Sequence, residues 1–298
     1  MPWIQLFVDA PADETPFIED GLLRAGALSV TLLNQGAPPL YEPGPGEVPL
    51  WKWTRVIGLF SDSDSPDAIK KRVLSGFAKH PKLQSEHQQL HHEILEDQDW
   101  ERVWLDQFKP MLFGKSLWVG PVQEDWQGEG IYLHLDPGLA FGTGTHPTTA
   151  LCLEWLASAP WGKGLVVDYG CGSGILAIAA CKLGACHLIA VDHDPQALTA
   201  TKDNAVKNQV QAKIEVILPG AYQSVQADLL MANILANPLI SLAPVFADSV
   251  RPGGHVLLSG VLAHQANGVL AAYQPWFDME LPVEEDGWVR IVGIKRPV

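Results

Sequence analysis

The chain has 298 residues, 47% of them hydrophobic, which a soft prior of about 100 to 200 residues per domain divides into two domains. A formal net charge of −14 repels phosphate backbones and argues against free nucleic acid as a partner, and no window approaches the ~18 uninterrupted apolar residues of a membrane span. The start MPWIQLFVDAPADE lacks a basic leader with an apolar block, so a cytoplasmic protein is expected. Cys152, Cys171, Cys181 and Cys186 form no CxxC pair and have no zinc-type histidine spacing, so all four read as buried thiols and no metal site is expected.

The first 95 or so residues alternate between strand and helix patterns. WIQLFVD reads as a strand, ETPFIEDGLLRAG as a helix, and LSVTLL and WKWTRVIGLF as two further strands. A helix over 66–79 and a strand near HHEILE complete the order βαββαβ, which is that of a ferredoxin-like α+β domain. Between LSVTLL and WKWTRVIGLF, the prolines and glycines of QGAPPLYEPGPGEVP mark a surface loop. EDQDWERVWLDQFKP opens acidic and stops at Pro110, as a short helix does. Trp100, Trp104 and Phe108 form an aromatic stripe on it, read as packing. Residues 1–95 are expected to form the first domain, 96–130 a linker helix with connecting strands, and 131–298 the second domain.

From Gly164 onward the alternation is regular. GLVVDYG, HLIAVD, KIEVI, ADLLMANIL and GGHVLLSG read as strands, separated by helices in GILAIAACKLG, PQALTATKDNAVKN and PLISLAPVFADSV, and followed by one in AHQANGVLAAY. Short apolar runs without polar alternation are strands buried on both faces, and their alternation with helices indicates a parallel, doubly wound α/β sheet. MELPVEEDGWVRIVGIKR reads as a hairpin turning near Asp286 and Gly287. A parallel sheet closed by such a tail is a seven-stranded, Rossmann-like plan.

Three motifs carry chemistry. In VVDYGCGSGILAIAA, Gly170, Gly172 and Gly174 stand between a buried strand and a helix, where backbone amides can approach a ligand. A dinucleotide fingerprint needs its third glycine where Ile175 stands, which disfavours a nicotinamide enzyme. GxGxG preceded by Asp168 is instead the pattern of S-adenosylmethionine enzymes, so Asp168 and the three glycines are candidate cofactor residues. Asp192, in AVDHDP, ends the next strand and can accept both hydroxyls of a ribose. Asp194 reads as the cap of the helix beginning at Pro195, and His193 as an exposed bystander. Asn233, in MANILANP, ends a central strand and projects into the crevice where such sheets bind ligands. Its oxygen can accept from an amine while its NH2 is expected to anchor on a backbone carbonyl.

The combination LDPGLAFGTGTHPTT, DYGCGSGILAIAA, VDHDPQAL and ANILANP, preceded by a small plait domain, resembles the bacterial methyltransferases of ribosomal large-subunit protein eleven. The resemblance extends over the whole chain and is tightest from 135 to 240. It implies an amino domain that recognises the ribosomal protein and a carboxyl domain that binds S-adenosylmethionine. The implied cofactor contacts fall on Thr149, Gly170, Asp192 and Asn233, with Phe141 and Gly142 bordering the methionine end as a lid. His146 and Thr148 are read as loop hydrogen bonding. Many S-adenosylmethionine enzymes place an acid after the third strand to hold the adenine amine, but ILPGAY has none.

The activity implied is methyl transfer to lysine side chains and to the α-amine of that ribosomal protein, by a monomer, with Asn233 as the catalytic residue and no dedicated general base. A small-molecule methyltransferase has no use for a separate plait domain. A non-catalytic ribosome-assembly factor has no need of intact glycines and Asp192.

Overall fold

The computed structural model describes residues 3–35, 51–61, 65–77, 90–95, 109–122, 126–135 and 144–297. Two compact units emerge, Met1–Val103 and Trp104–Val298. The expected loop at 36–49, the helix of 96–108 with its aromatic stripe, and Phe141 and Gly142 lie outside the described residues.

In the amino-terminal unit, β1 (Trp3–Pro11), β2 (Ser29–Asn34), β3 (Trp53–Ser61) and β4 (His91–Leu95) form an antiparallel sheet in the order β2-β3-β1-β4. Strict alternation of burial along β1 sends Ile4, Leu6, Val8 and Ala10 to one face. Helices α1 (Thr15–Arg24) and α2 (Pro66–Phe77) cover that face through Ile18, Leu22, Ile69, Val73 and Phe77. On the other face Arg55 grips Asp9 through Nε and Nη2 at 2.7 and 2.8 Å and lies over the Phe7 ring. The Arg55 guanidinium holds the Asp9 carboxyl below the usual aspartate range.

The carboxyl-terminal unit begins with a small sheet of β5 (Met111–Phe113), β6 (Leu117–Pro121) and β7 (Ile131–Leu135). Phe113, Leu117 and Val119 pack in one cluster with Leu153, Ile178 and Leu229. Residues 111–121 therefore belong to the core of this unit and are not a linker as expected. Strands this short are stable only when paired and covered.

Helix α3 (Pro147–Ser158) leads into β8 (Leu165–Tyr169), α4 (Ile175–Lys182), β9 (His187–Val191), α5 (Pro195–Lys207) and β10 (Ile214–Ile217). There follow β11 (Ala227–Asn233), α6 (Ala236–Ser249), β12 (Val250–Leu262), α7 (Ala266–Tyr273), β13 (Phe277–Met279), β14 (Val283–Glu285) and β15 (Trp288–Lys295). The sheet runs β10-β9-β8-β11-β12-β15-β13, with β14 paired to β15, eight strands in all. The five from β10 to β12 are parallel, and β15 joins them antiparallel.

Alternate residues of the central strands enter two separate cores. Val166, Leu188, Leu229 and Leu257 pack with α3 and α4, whereas Val167, Ile189, Leu230 and Val256 pack with α6 and α7. Burial on both faces is why these strands carry no polar alternation. The tail hairpin turns at Asp286 and Gly287, both at positive φ, as a two-residue hairpin turn favours. The strand order reverses between β8 and β11, so a crevice opens at their carboxyl ends. Of the four cysteines, Cys152, Cys171 and Cys181 are buried, but Cys186 is exposed, contrary to expectation. It stands just before β9, beyond the cover of α4.

Candidate functional site

Two adjoining cavities occupy the crevice between β8 and β11. The smaller, about 190 Å³, is lined by Thr149, Gly170, Gly172, Asp192, Asn233 and Ile234 among others. The larger, about 470 Å³, shares Gly170, Asp192, His193, Asn233 and Ile234, and adds an apolar wall that includes Leu235, Pro238, Leu242 and Trp288.

The glycine turn forms the floor. Gly170 has φ 83° and donates its N–H to the Val191 carbonyl at 2.7 Å, which ties the end of β8 to the end of β9. A side chain at Gly170 would meet Cγ2 of Ile234, so the backbone approach depends on glycine. Asp192 is buried beside this turn. Its Oδ2 accepts from the Gly172 N–H and its Oδ1 from the Asp194 N–H, each at 3.0 Å. Two backbone donors thus fix the carboxylate plane while further lone-pair directions remain for a ligand. His193 Nδ1 stands 3.4 Å from Oδ1. That side chain is exposed, as expected, and it lines both cavities. Asp194 caps α5, accepting from the Gln196 N–H at 2.8 Å.

Asn233 closes the crevice from the end of β11. Its Nδ2 donates to the Thr149 hydroxyl at 3.2 Å, a side-chain anchor in place of the expected backbone carbonyl. Thr149 is fully buried in the first turn of α3. His146 caps that helix, its Nδ1 accepting from the Thr148 N–H at 3.3 Å and lying 2.8 Å from the Thr148 hydroxyl. Its ring meets Trp288 edge-on at 4.9 Å. Burial depresses its pKa below the usual histidine range, so the ring is neutral near pH 7. Both His146 and Thr148 make the expected loop hydrogen bonds, and both also line the larger cavity.

Two predicted residues stand behind the floor rather than in it. Asp168 is buried, with Oδ2 accepting from the Ala177 N–H at 3.0 Å, and it lines neither cavity because its side chain turns to the amide ladder of α4. Gly174 caps α4 and packs against Thr201; its role is close helix approach. Sequence reading missed Ile234 and Trp288. Ile234 follows the conspicuous Asn233, but Trp288 comes from the tail hairpin with no local signature.

These walls fit a cationic nucleoside ligand. The floor offers a fixed carboxylate and bare backbone, the wall is apolar, and among the described residues no lysine or arginine lines it. Among the described residues no cluster of His, Cys, Asp and Glu is set to hold a metal, and no helix is long and apolar enough to cross a membrane.

The family model described as ribosomal protein L11 methyltransferase (PrmA) matches residues 2–296. A ribosomal protein L11 methyltransferase of Methylococcus capsulatus is 50% identical over 298 residues, covering 99% of each chain. One of Nitrosococcus oceani is 47% identical over 300 residues, covering 99% of this chain and all of the relative. The crystal structure of a ribosomal protein L11 methylase from Lactobacillus delbrueckii subsp. bulgaricus superposes with a TM-score of 0.56 at 32% identity, over 64% of this chain and 100% of that one. The fold is accordingly a mixed α/β, methyltransferase-like one.

Proposed function

This chain belongs to the ribosomal protein L11 methyltransferase family, and on that footing we propose that it transfers methyl groups from S-adenosylmethionine to amines of ribosomal protein L11, both lysine side chains and the α-amine. One observation carries the assignment of the site: Thr149, Gly170, Asp192 and Asn233, drawn from four separate segments, line a single cavity. Asp192 is read as the ribose acceptor, Gly170 and Gly172 as the backbone floor, and Thr149 as the group that holds Asn233 in place. Phe141 and Gly142 are read as the lid over the methionine end. Asp168 and Gly174 shape the turn from behind.

S-adenosylmethionine supplies a methyl group on a sulfonium, which an amine attacks in line. Only a neutral amine has the lone pair for this, and with a lysine pKa near ~10.4 about one in a thousand is neutral near pH 7.4. The larger cavity favours that form, because Leu235, Pro238, Leu242 and Trp288 strip water from an entering ammonium, and desolvation lowers its pKa. The Asn233 oxygen can accept from the amine while one N–H of its amide donates to Thr149. The reading assigns no dedicated base. Holding amine and methyl at attack distance supplies ~7 to 11 kcal/mol in favourable cases.

The amino-terminal unit is read as a ferredoxin-like plait that recognises the ribosomal protein, a reading supported by its β2-β3-β1-β4 order with both helices on one face. The acidic balance of the chain supports a protein acceptor over free nucleic acid. The protein is taken to act as a monomer in the cytoplasm.

The test is intact-mass spectrometry of ribosomal protein L11 after incubation with the full chain and S-adenosylmethionine, followed by peptide mapping. Methyl increments confined to amines are expected. An unmodified ribosomal protein, with the donor shown to bind, would overturn the proposal.

A further inference from the structure

Two carboxylates bracket the glycine turn, and only one of them faces the cleft. Asp192 lines both cavities. Asp168, at the end of β8, is 1% exposed; one oxygen accepts from Ala177 N–H and the other, Oδ1, is buried with no hydrogen-bond partner among the described residues. The titratable groups around it are Asp192 from the end of β9, Cys171 from the turn, Cys152 from α3 and Cys181 from α4. Burial pushes the Cys152 thiol up to about 12 and Cys181 up to about 11, and raises Cys171 as well, so all three stay neutral. Arg290 on β15 acts on Cys152, and among the described residues no cation acts on Asp168. Its neighbours in the sheet are Ala190 and Met231, which bring no charge. Desolvation first, with Asp192 adding repulsion, pushes the Asp168 carboxyl up to about 7.

We propose that Asp168 is a proton-linked counter-charge for the donor site: carrying its proton in part of the free protein near pH 7, it gives that proton to solvent when a sulfonium donor fills the cleft, and so favours the cationic donor over the uncharged thioether product. The inference rests on reading the cleft as the S-adenosylmethionine site. A positive charge brought near a buried acid stabilises its ionised form. The carboxyl O–H bond breaks, its electron pair stays on the carboxylate, and the proton passes to buffer; no other reactant is needed. Proton release on binding obliges donor affinity to rise with pH. S-adenosylhomocysteine lacks the sulfonium charge and draws off less of the proton.

The experiment is titration calorimetry of the full chain with S-adenosylmethionine and, separately, S-adenosylhomocysteine, at pH 7 in two buffers of different ionisation enthalpy. About half a proton is expected to leave per donor bound, and clearly less per product. Between pH 6 and 8 donor affinity is expected to tighten about three- to tenfold while product affinity shifts less than about twofold. Asp168→Asn abolishes the release. Histidine ordinarily titrates in this range, and His193 stands 3.4 Å from Asp192, so His193→Gln must retain the release. Buffer-independent heats, equal release with the product, or release that survives Asp168→Asn overturns the proposal. If Asp168→Asn does not fold, the donor-against-product comparison in the unaltered protein decides alone. Failure of both ligands to bind strikes down the donor-site reading itself, whereas binding without proton linkage strikes down only this inference.

Discussion

Asn233 donates its side-chain N–H to the hydroxyl of Thr149 at 3.2 Å, joining the end of β11 to the first turn of α3 across 84 positions of the chain. Thr149→Val keeps the shape and removes the acceptor, so Asn233 loses its anchor at a cost of about 1 kcal/mol. Methyl transfer is expected to fall about five- to tenfold, with little change in melting temperature, and Thr149→Ser is expected to restore it. Steady-state kinetics beside thermal unfolding checks this; an unimpaired valine variant removes the positioning role.

Asp192 holds the Gly172 and Asp194 amides through its two oxygens. Asp192→Ala is expected to weaken S-adenosylmethionine binding by about 1 to 3 kcal/mol through lost charged hydrogen bonds. Asp194→Ala serves as the control. It removes the cap on α5 and costs about 1 kcal/mol of stability while donor affinity stays the same. Calorimetry that finds equal donor affinity in Asp192→Ala and the parent refutes the ribose assignment.

Ile234 is pinched between two glycines at positive φ, Gly170 and Gly260, each at φ 83°. A Cβ on Gly170 meets the Ile234 side chain, whereas one on Gly260 meets the Ile234 backbone. Either alanine costs about 1 kcal/mol or more in backbone strain, but only the first collision can be relieved by trimming the neighbour. Ile234→Ala is therefore expected to recover part of the loss in Gly170→Ala and none of that in Gly260→Ala. A double-mutant cycle read by denaturant unfolding tests it, and equal rescue of both refutes it.

The buried Asp168 also imposes a pH dependence on folding. Its carboxyl rises from the ordinary aspartate range to about 7 in the folded chain, so between roughly pH 4 and 7 the native state binds the extra proton. Its influence is most favourable below pH 4. Stability declines as pH rises through that window, on the order of 4 kcal/mol at full ionisation before relaxation. Asp168→Asn, which retains an oxygen for the Ala177 amide, is expected to flatten this slope and to melt higher than the parent at pH 8 in the absence of ligand. Thermal unfolding at pH 5 and pH 8 decides; a parallel slope in both proteins removes Asp168 as its source.

Much of the carboxyl-terminal site was legible because its parts are local. The glycines at 170 and 172 announce a turn that side chains resist, and both have positive φ. Asp194 before Pro195 announces a helix cap, and Asp286 with Gly287 a tight hairpin. Each depends on the backbone preferences of a few neighbouring residues, and apolar runs likewise declare strands buried on both faces. The amino acid order alone therefore determined the alternation of elements and put Gly170, Asp192 and Asn233 at strand ends.

Only the tertiary structure decided what those ends meet. It brought Thr149 to Asn233, pinned Ile234 between Gly170 and Gly260, and carried Trp288 from the tail hairpin to His146. It drew residues 111–121 into the core of the second unit, left Cys186 exposed, and sealed Asp168 behind the floor with one oxygen unpaired among the described residues. These outcomes depend on strand register and on packing between residues far apart in the chain, and no local preference encodes which distant surface will cover a side chain or deprive it of water.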